Sequence, residues 1–254
     1  MLKNFAQTLH GAYATATFVV IVLLLFCPLL IVAPTLPLRR TIGRLAVRTW
    51  TAVSFVPLRV RGLAHLPDEP CVVVCNHASY IDGLLLTAAL PARFTFMVQH
   101  GAADWPYVGL IVRRMGASFV NRDSAREAAR AARELIDRIR AGESIAIFPE
   151  GTFRRAPELL PFQPGAFLIA ARAGVPVVPS VIRGTRRLLG EGRKMLRWSR
   201  IEIEFLSPQR ARDDGRDAAD ALRDTVRAVM LRQSGEADGA PVRLDETAVP
   251  EIGE

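Results

Sequence analysis

The hydrophobic pattern changes once along the chain, near Pro57. Before that point, residues 11–38 contain no charged side chain, and residues 18–30 are almost entirely aliphatic or aromatic. An uncharged run of this length is enough for a membrane helix, which needs about 20 residues. After Pro57, short apolar runs alternate with amphipathic stretches of helical period, which is typical of an α/β domain.

The periodicity predicts a mixed, largely parallel sheet flanked by helices in the second part of the chain. Strands are predicted at 57–62, 71–75, 94–98, 117–121, 144–148, 176–182 and 201–206. Helices are predicted at 82–90, 104–115, 124–141, 164–173 and 216–232. The helix from 124 has the clearest ends, because Ser124 and Glu127 form a capping box and Gly142 stops it.

The N-terminal run is predicted to anchor the chain in a membrane. Pro28 and Pro34 favour a kinked or re-entrant helix over a straight span. A cleaved signal peptide is disfavoured, because the run is long and no clear small-x-small site follows it. Residues 41–57 mix arginines with apolar side chains, which predicts an interfacial helix with Trp50 at headgroup depth. The alternative is an ordinary amphipathic core helix, and in either case the two segments would form a helical hairpin.

These patterns divide the chain into three parts: an anchor with an interfacial helix at 1–56, an α/β domain at 57–233 and an acidic tail at 234–254. The tail is rich in Gly, Pro, Asp and Glu. Such a composition cannot bury enough apolar surface to fold, so we expect disorder there.

The charge distribution favours phospholipid as a partner over nucleic acid. The formal net charge is +8, and residues 1–67 contain no Asp or Glu but carry Lys3 and six arginines. By the positive-inside rule, the arginines after the apolar run place the main domain on the cytoplasmic side of the cell inner membrane. Cys71 and Cys75 lie four apart on a predicted strand, roughly 13 Å, which is too far for a disulfide. A reducing compartment is therefore expected.

Residues 72–82 join a buried strand to a polar turn and a helix, and this stretch carries the first candidate chemistry. Neither a continuous helix nor a continuous strand would let His77 and Asp82 meet, but a strand-turn-helix would. The pair then forms a general base, His77, with an orienting carboxylate, Asp82. Alternatively, Ser79 and Asp82 follow a helix-capping pattern and His77 makes a structural hydrogen bond. The two interpretations are compatible, since a capped helix is a rigid mount for the carboxylate.

Two further strand ends carry candidate side chains. Glu150 and Gly151 follow the strand at 144–148, and Gly151 lets the backbone approach a ligand closely. Arg122 follows the strand at 117–121, and its planar guanidinium suits a phosphate. A plain turn and a surface arginine are the alternatives. Because ligands bind outside the carboxyl ends of strands in an open α/β sheet, these ends can surround one site.

Other kinds of site have weaker support. His77, Asp82 and Glu150 are possible metal ligands, but the sequence has no His-Glu-x-x-His or Cys-x-x-Cys pair,. It also has no phosphate loop, no dinucleotide-binding turn and no Gly-x-Ser-x-Gly elbow,. No metal and no cofactor is expected.

Four ordered blocks resemble the glycerolipid acyltransferases typified by 1-acyl-glycerol-3-phosphate acyltransferase, and the resemblance runs from about 57 to 206. The first is Asn-His-Ala-Ser-Tyr-Ile-Asp at 76–82, which matches the His-x4-Asp block of that family. The others are 116–122, Phe-Pro-Glu-Gly-Thr at 148–152 and Val-Pro-Val-Val-Pro at 175–179. One His-x4-Asp is a weak signal, but four blocks in this order and spacing are specific.

The resemblance implies a reaction and a role for each residue. His77 would take the proton from an acceptor hydroxyl, and Asp82 would orient the imidazole and stabilise it once charged. The alkoxide would attack an acyl thioester, from acyl-CoA or acyl carrier protein, without an acyl-enzyme. Arg122 would hold the acceptor phosphate, and the block with Glu150, Gly151 and Thr152 would position the rest of the acceptor.

The resemblance therefore implies a membrane-bound enzyme that converts 1-acyl-glycerol 3-phosphate into phosphatidate. Relatives often carry basic residues where this chain has Gln99, Phe153 and Gln163. These departures favour, as an alternative, another lysophospholipid or an acylated amino acid as the acceptor. From a different class of protein, the alternative is a non-catalytic lipid-binding protein on the same scaffold.

Overall fold

A computed structural model of the chain describes residues 2–99, 106–120, 124–193 and 195–239. The N-terminal apolar run is one long helix, made of α1 (Leu2–Thr17), a π-helical stretch (Phe18–Phe26) and α2 (Cys27–Val32). After a short turn, α3 (Leu36–Val53) runs back along it. Trp50 meets Ala14 near one end of this pair, and Gly43 lies beside Leu30 near the other. The predicted helical hairpin is therefore present.

The first arm of the hairpin has the length and apolarity of a membrane helix. The segment Phe5–Val32 is long and apolar enough to cross a membrane, and only 17% of its most apolar window is buried within the protein. Leu24, Leu25 and Val32 are among its exposed apolar side chains. A large exposed apolar surface of this kind needs an apolar neighbour, which supports a membrane location for the chain.

The predicted headgroup position of Trp50 is wrong. Its side chain is fully buried, its indole Nε1 donates to the Ala14 carbonyl at 3.0 Å, and its ring meets Phe18 edge-on at 5.4 Å between centroids. Arg40 is also buried, where it pairs with Glu143 at 2.8 Å and donates to the Met115 carbonyl. The first arm covers one side of α3 and the α/β domain covers another, as in the core-helix alternative. Leu38, Leu45 and Val53 are exposed on α3, so an interfacial location of that exposed face stays a prediction.

The α/β domain is built on a mixed sheet of seven strands in the order β1-β8-β7-β2-β5-β3-β4. The strands are β1 (Leu58–Arg61), β2 (Val72–Cys75), β3 (Phe94–Gln99), β4 (Ser118–Val120), β5 (Ser144–Ile147), β7 (Val177–Arg183) and β8 (Ile201–Phe205). All neighbouring pairs are parallel except β7 and β8. The predicted fold class and these strands are confirmed.

The helices cover both faces of the sheet. They are α4 (Asp82–Ala89), α5 (Pro106–Arg114), α6 (Ala125–Arg140), α7 (Gly165–Ala173), α8 (Thr185–Leu189) and α9 (Arg216–Ser234). Along β2, Val73 and Cys75 pack with α4 and the hairpin, whereas Val72 and Val74 pack with α6, α7 and α9. A strand buried on both faces reads as one continuous apolar run, which is why β2 was predictable.

Local signals at helix ends and cysteines are also confirmed. The Ser124 hydroxyl accepts from the Glu127 amide at 3.3 Å, and Gly142 has the positive φ of +101° expected beyond the end of α6. Cys71 and Cys75 are buried free thiols. The short helix α8 was not predicted, because a five-residue element shows no periodicity,.

The predicted disorder from residue 234 is wrong for residues 234–239. Helix α9 extends through Ser234, and β9 (Ala237–Asp238) pairs with β6 (Glu158–Leu159) in a small second sheet. Glu236 forms an ion pair with Arg186 at 2.7 Å. Residues 240–254 lie outside the described part of the chain, so disorder is still a prediction for them.

Trp50→Ala should destabilise the protein by about 3–5 kcal/mol, because it removes a large buried ring and leaves a cavity between the hairpin and the domain. Leu45→Ala, at a half-exposed position on the same helix, is the matched control and should change stability by less than about 1 kcal/mol,. The measurement is denaturant unfolding of the purified protein in detergent. Equal effects of the two substitutions would contradict the buried position of Trp50.

Candidate active site

The candidate site lies at the carboxyl end of β2, in the centre of the sheet. The strand ends at Cys75, and the next side chain, Asn76, exchanges two hydrogen bonds with the Ile182 backbone on β7. The distances are 3.1 Å from Asn76 Nδ2 to the carbonyl and 2.7 Å from the Ile182 amide to Oδ1. This pairing fixes the point at which the chain leaves the sheet, immediately before His77.

His77 and Asp82 form the predicted pair. His77 Nδ1 lies 2.9 Å from Asp82 Oδ2, and Asp82 occupies the first turn of α4. The same oxygen accepts the backbone amides of Ala78 and Ser79 at 2.6 and 2.8 Å. Asp82 is fully buried, whereas the side chain of His77 is 20% exposed. The carboxylate is therefore fixed by the turn, and the imidazole reaches the surface.

Asp82 makes the contacts expected under both interpretations of the sequence, the histidine pair and the helix cap. It orients the imidazole and also closes the turn at the start of α4 through two backbone amides. Ser79 has a different role from Asp82. Its hydroxyl donates to the Leu189 carbonyl and accepts from the Ile81 amide. The turn is thus tied to α8, the short helix after β7, as well as to α4.

Glu150 holds the histidine from the other side. Its Oε1 accepts the His77 backbone amide at 2.7 Å, and its Oε2 accepts the Leu160 amide at 2.8 Å. The side chain is buried, and both carboxylate oxygens accept hydrogen bonds from within the protein. This geometry gives Glu150 a positioning role, and its predicted contact with the acceptor stays a prediction.

The environment of Glu150 changes its protonation. Burial raises the pKa of this carboxyl from its ordinary value of 4.5 to about 7, and the negative charge of Glu236 acts in the same direction. The hydrogen bonds from the His77 and Leu160 amides and the charge of Arg186 oppose the rise. Desolvation of a carboxylate outweighs two amide donors here.

Aromatic rings surround the imidazole, and sequence analysis did not identify this feature. The His77 ring stacks on Phe148 at 4.3 Å between centroids and is tilted against Phe153 at 4.7 Å. Tyr80 meets Phe153 edge-on at 4.8 Å. These rings fix the orientation of the imidazole and keep water from its faces. The only sequence signal was the position of Phe148 and Phe153 on either side of Pro-Glu-Gly-Thr.

The remaining predicted residues have mixed outcomes. Gly151 adopts a left-handed conformation with φ of +77°, as a tight strand exit requires, and Thr152 is exposed beside it,. Arg122 lies outside the described residues, so its phosphate-binding role is still a prediction. Within the described ranges, no group of three or more His, Cys, Asp or Glu side chains is arranged to hold a metal ion.

Comparison with known proteins identifies the family. The acyltransferase family model matches residues 57–183. The 1-acyl-sn-glycerol-3-phosphate acyltransferase beta of Homo sapiens is 31% identical over 200 residues, which cover 75% of this chain and 71% of that protein. A chloroplastic 1-acyl-sn-glycerol-3-phosphate acyltransferase of Brassica napus is 33% identical over 159 residues, 61% of this chain and 46% of that protein.

A solved structure is also similar over almost its whole length. The 1-acyl-sn-glycerophosphate acyltransferase PlsC of Thermotoga maritima has a TM-score of 0.69 and 26% identity, and the match covers 91% of this chain and 95% of that one. The fold places a histidine-aspartate pair at the end of its central strand. The chain belongs to the acyltransferase family. It spans about half the length of the plant relatives it matches.

The raised pKa of Glu150 predicts a pH-dependent contribution to stability. The folded protein keeps this proton where the unfolded chain has released it, so the contribution is present below about pH 4.5 and is lost as pH rises through about 7,. Relative to wild type, Glu150→Gln should therefore gain stability as pH rises through this range. Denaturant unfolding at several pH values measures the difference.

The matched control is Glu191→Gln, which changes an exposed carboxyl and should follow the pH dependence of the wild type. If the wild-type and Glu150→Gln stabilities stay parallel between pH 4.5 and 7, the protonation assigned to Glu150 is wrong.

Proposed function

We propose that the chain transfers an acyl group from an acyl thioester to the free hydroxyl of 1-acyl-glycerol 3-phosphate, giving phosphatidate. The observation that carries the proposal is the 2.9 Å contact between the partly exposed His77 and the fully buried Asp82. The names of the human, plant and bacterial relatives support the choice of acceptor. A non-catalytic lipid-binding protein would not need a base held from both sides.

The geometry of the pair supports one route for the proton. Because Nδ1 of His77 bonds to Asp82, Nε2 is the nitrogen that accepts the proton of the acceptor hydroxyl. The hydroxyl oxygen forms a bond to the thioester carbonyl carbon, and the carbon-sulfur bond breaks. The leaving thiolate takes the proton back from the imidazolium. The buried carboxylate of Asp82 stabilises the imidazolium while it carries that charge.

The other residues position this base and the acceptor. Glu150 fixes the backbone of His77, and the aromatic rings of Phe148 and Phe153 fix its side chain. Arg122 is proposed to contact the acceptor phosphate, and Gly151 and Thr152 are proposed to line the acceptor path. The donor is proposed to be acyl-CoA or acyl carrier protein, both of which supply the required thioester.

The site is proposed to work at the cytoplasmic face of the cell inner membrane. The apolar arm Phe5–Val32 supports membrane attachment, and the arginines that follow it support the orientation,. A lysolipid acceptor and its phosphatidate product both reside in such a membrane. Membrane phospholipid is therefore a partner of the chain as well as the surroundings of its substrate.

His77→Ala should abolish acyl transfer, because no other group in the turn can take the proton. The variant should keep its fold and its membrane binding, since the side chain is partly exposed. His65→Ala, at an exposed histidine outside the site, is the control and should keep wild-type turnover. Phosphatidate formation from acyl-CoA and 1-acyl-glycerol 3-phosphate is the readout. Substantial turnover by His77→Ala would refute the base assignment.

Asp82→Asn should lower kcat by a factor on the order of 10² to 10⁴, because a neutral amide cannot stabilise the imidazolium as the carboxylate does. The substitution keeps the size of the side chain and one oxygen for the Ala78 and Ser79 amides. The same assay with a thermal unfolding measurement separates catalysis from folding. A normal kcat would mean that Asp82 only closes the turn and has no role in catalysis.

A further inference from the structure

Three aromatic side chains, Tyr13, Phe55 and Trp198, form an exposed cluster where the helical hairpin meets the α/β domain. The Tyr13 and Phe55 rings are 6.5 Å apart between centroids, and the Trp198 indole donates to the Phe55 carbonyl at 3.0 Å. The Tyr13 hydroxyl donates to the Val53 carbonyl at 3.0 Å. All three side chains are exposed, and Phe55 is 71% exposed. The donor groups of this aromatic cluster are therefore bonded within the protein, while its apolar rings face the surroundings.

The backbone of Phe55 occupies a position that favours glycine. Phe55 follows the end of α3 with a φ of +54°, and it is the one non-glycine with a positive φ among the residues that the structure describes. Its amide donates to the Ala52 carbonyl at 3.3 Å, and the Val56 amide donates to the Thr51 carbonyl at 3.0 Å. These are the two bonds of a Schellman helix end. The same two bonds close α5, α6 and α7, where the equivalent residues are Gly116, Gly142 and Gly174.

Phe55 is therefore unfavourable in water for two reasons. A left-handed backbone is strained for a residue with a Cβ atom, and especially for a bulky one. The ring that this backbone presents is also largely exposed. Glycine would remove both disadvantages, so the stability of the fold does not explain the phenylalanine. Backbone strain of this kind is typical of functional positions, and an exposed apolar ring is stabilised when it leaves water.

The aromatic cluster continues the exposed apolar face of the first arm. Phe5, Leu9 and Tyr13 are exposed and four residues apart, so they follow one side of α1,. They belong to the segment Phe5–Val32, which is long and apolar enough to cross a membrane. Exposed arginines adjoin the cluster in sequence: Arg59, Arg197 and Arg200. Tyrosine, tryptophan and basic residues beside an apolar face are typical of the layer between lipid headgroups and acyl chains.

The pairing of the strands places the aromatic cluster at the sheet edge that carries His77. Pro57, two residues after Phe55, accepts the Ile201 amide at 2.8 Å where β8 begins. β8 is antiparallel to β7, and β7 is parallel to β2. The start of β8 therefore lies at the edge where β7 and β2 end, and His77 follows the end of β2.

The short helix α8 connects the cluster to the turn that carries His77. The Leu188 carbonyl accepts the amide of Arg197, the residue before Trp198, at 2.9 Å. The next carbonyl, that of Leu189, accepts the Ser79 hydroxyl. A surface that fixes the Trp198 loop would therefore also fix the position of this turn relative to the same surface.

We propose that the aromatic cluster enters the interfacial layer of a phospholipid membrane and holds the His77 edge of the sheet against it. The inference rests on the membrane location in the proposed function, and it adds a contact outside the apolar arm. A protein partner would also cover exposed rings. The cluster, however, is continuous with a helix that has the composition of a membrane segment, so a lipid bilayer is the partner that this surface fits.

A nitroxide label at position 55 tests the contact without the reaction. Phe55→Cys and Leu63→Cys are each labelled and bound to phospholipid vesicles, and collisions with oxygen and with a water-soluble nickel chelate measure the depth. Leu63 is the matched control, because it is an exposed apolar residue beyond the other end of β1, at the opposite edge of the sheet. The native cysteines are buried and should not react.

The label at position 55 should lie about 5–10 Å into the boundary between headgroups and acyl chains, and the label at position 63 should lie in water. A label at position 55 in water, or equal depths at the two positions, would overturn the inference. Failure of the wild-type chain to bind vesicles would contradict the membrane location and the inference with it.

Phe55→Gly separates membrane contact from fold stability. Because glycine adopts the left-handed conformation without strain, the thermal unfolding midpoint in detergent should equal or exceed that of wild type. Val56→Ala changes the buried neighbour and should lower the midpoint,. An equal fall in both variants would mean that Phe55 stabilises the fold, which would overturn the inference. Neither measurement uses acyl transfer, so an inactive wild type would contradict the proposed reaction alone.

Discussion

The buried carboxylate of Asp82 is the interaction on which the catalytic turn depends. A carboxylate without exposure to water is costly unless hydrogen-bond donors surround it. Here one oxygen receives the Ala78 amide, the Ser79 amide and His77 Nδ1. The two amides close the turn between β2 and α4, and the third donor is the imidazole of His77, the proposed base. One charge therefore sets both the shape of the backbone and the orientation of the imidazole.

The sheet holds this turn from its two neighbouring strands. On one side, Asn76 pairs with the backbone of β7. On the other side, Glu150 reaches from the end of β5 to the His77 amide. Parallel strands end at the same edge, so these supports converge on one point without any long-range bend in the chain. His77 is thus supported from both neighbouring strands, which gives the proposed base the fixed position that catalysis requires,.

Much of this architecture could be predicted because its signals are local. β2 is apolar on both faces, and His77 and Asp82 are separated by one turn, so strand, helix and dyad follow from a short stretch of sequence. The strand order is not local, because the pairing of β2 with β5 and β7 depends on distant segments. For that reason the inward direction of Glu150 could not be predicted.

Trp50 shows the same limit in the N-terminal helical hairpin. Its composition fits a membrane interface as well as a core, since an indole has an apolar ring and one polar nitrogen. The structure decides between them through Ala14 and Phe18, which lie more than thirty residues earlier and provide the hydrogen bond and the ring contact. The surroundings of an amphipathic helix can therefore be assigned only when the segments that pack against it are known.

The most direct test of the account is the stoichiometry of acyl transfer by the purified chain in lipid. Acyl-CoA and acyl carrier protein are each offered with 1-acyl-glycerol 3-phosphate, while free thiol and phosphatidate are followed together. Direct transfer should release one thiol per phosphatidate formed with at least one donor, and should give no enzyme-stoichiometric burst of thiol when the acceptor is omitted. Thiol release in such a burst, or no phosphatidate with either donor, would contradict direct transfer by His77 and Asp82.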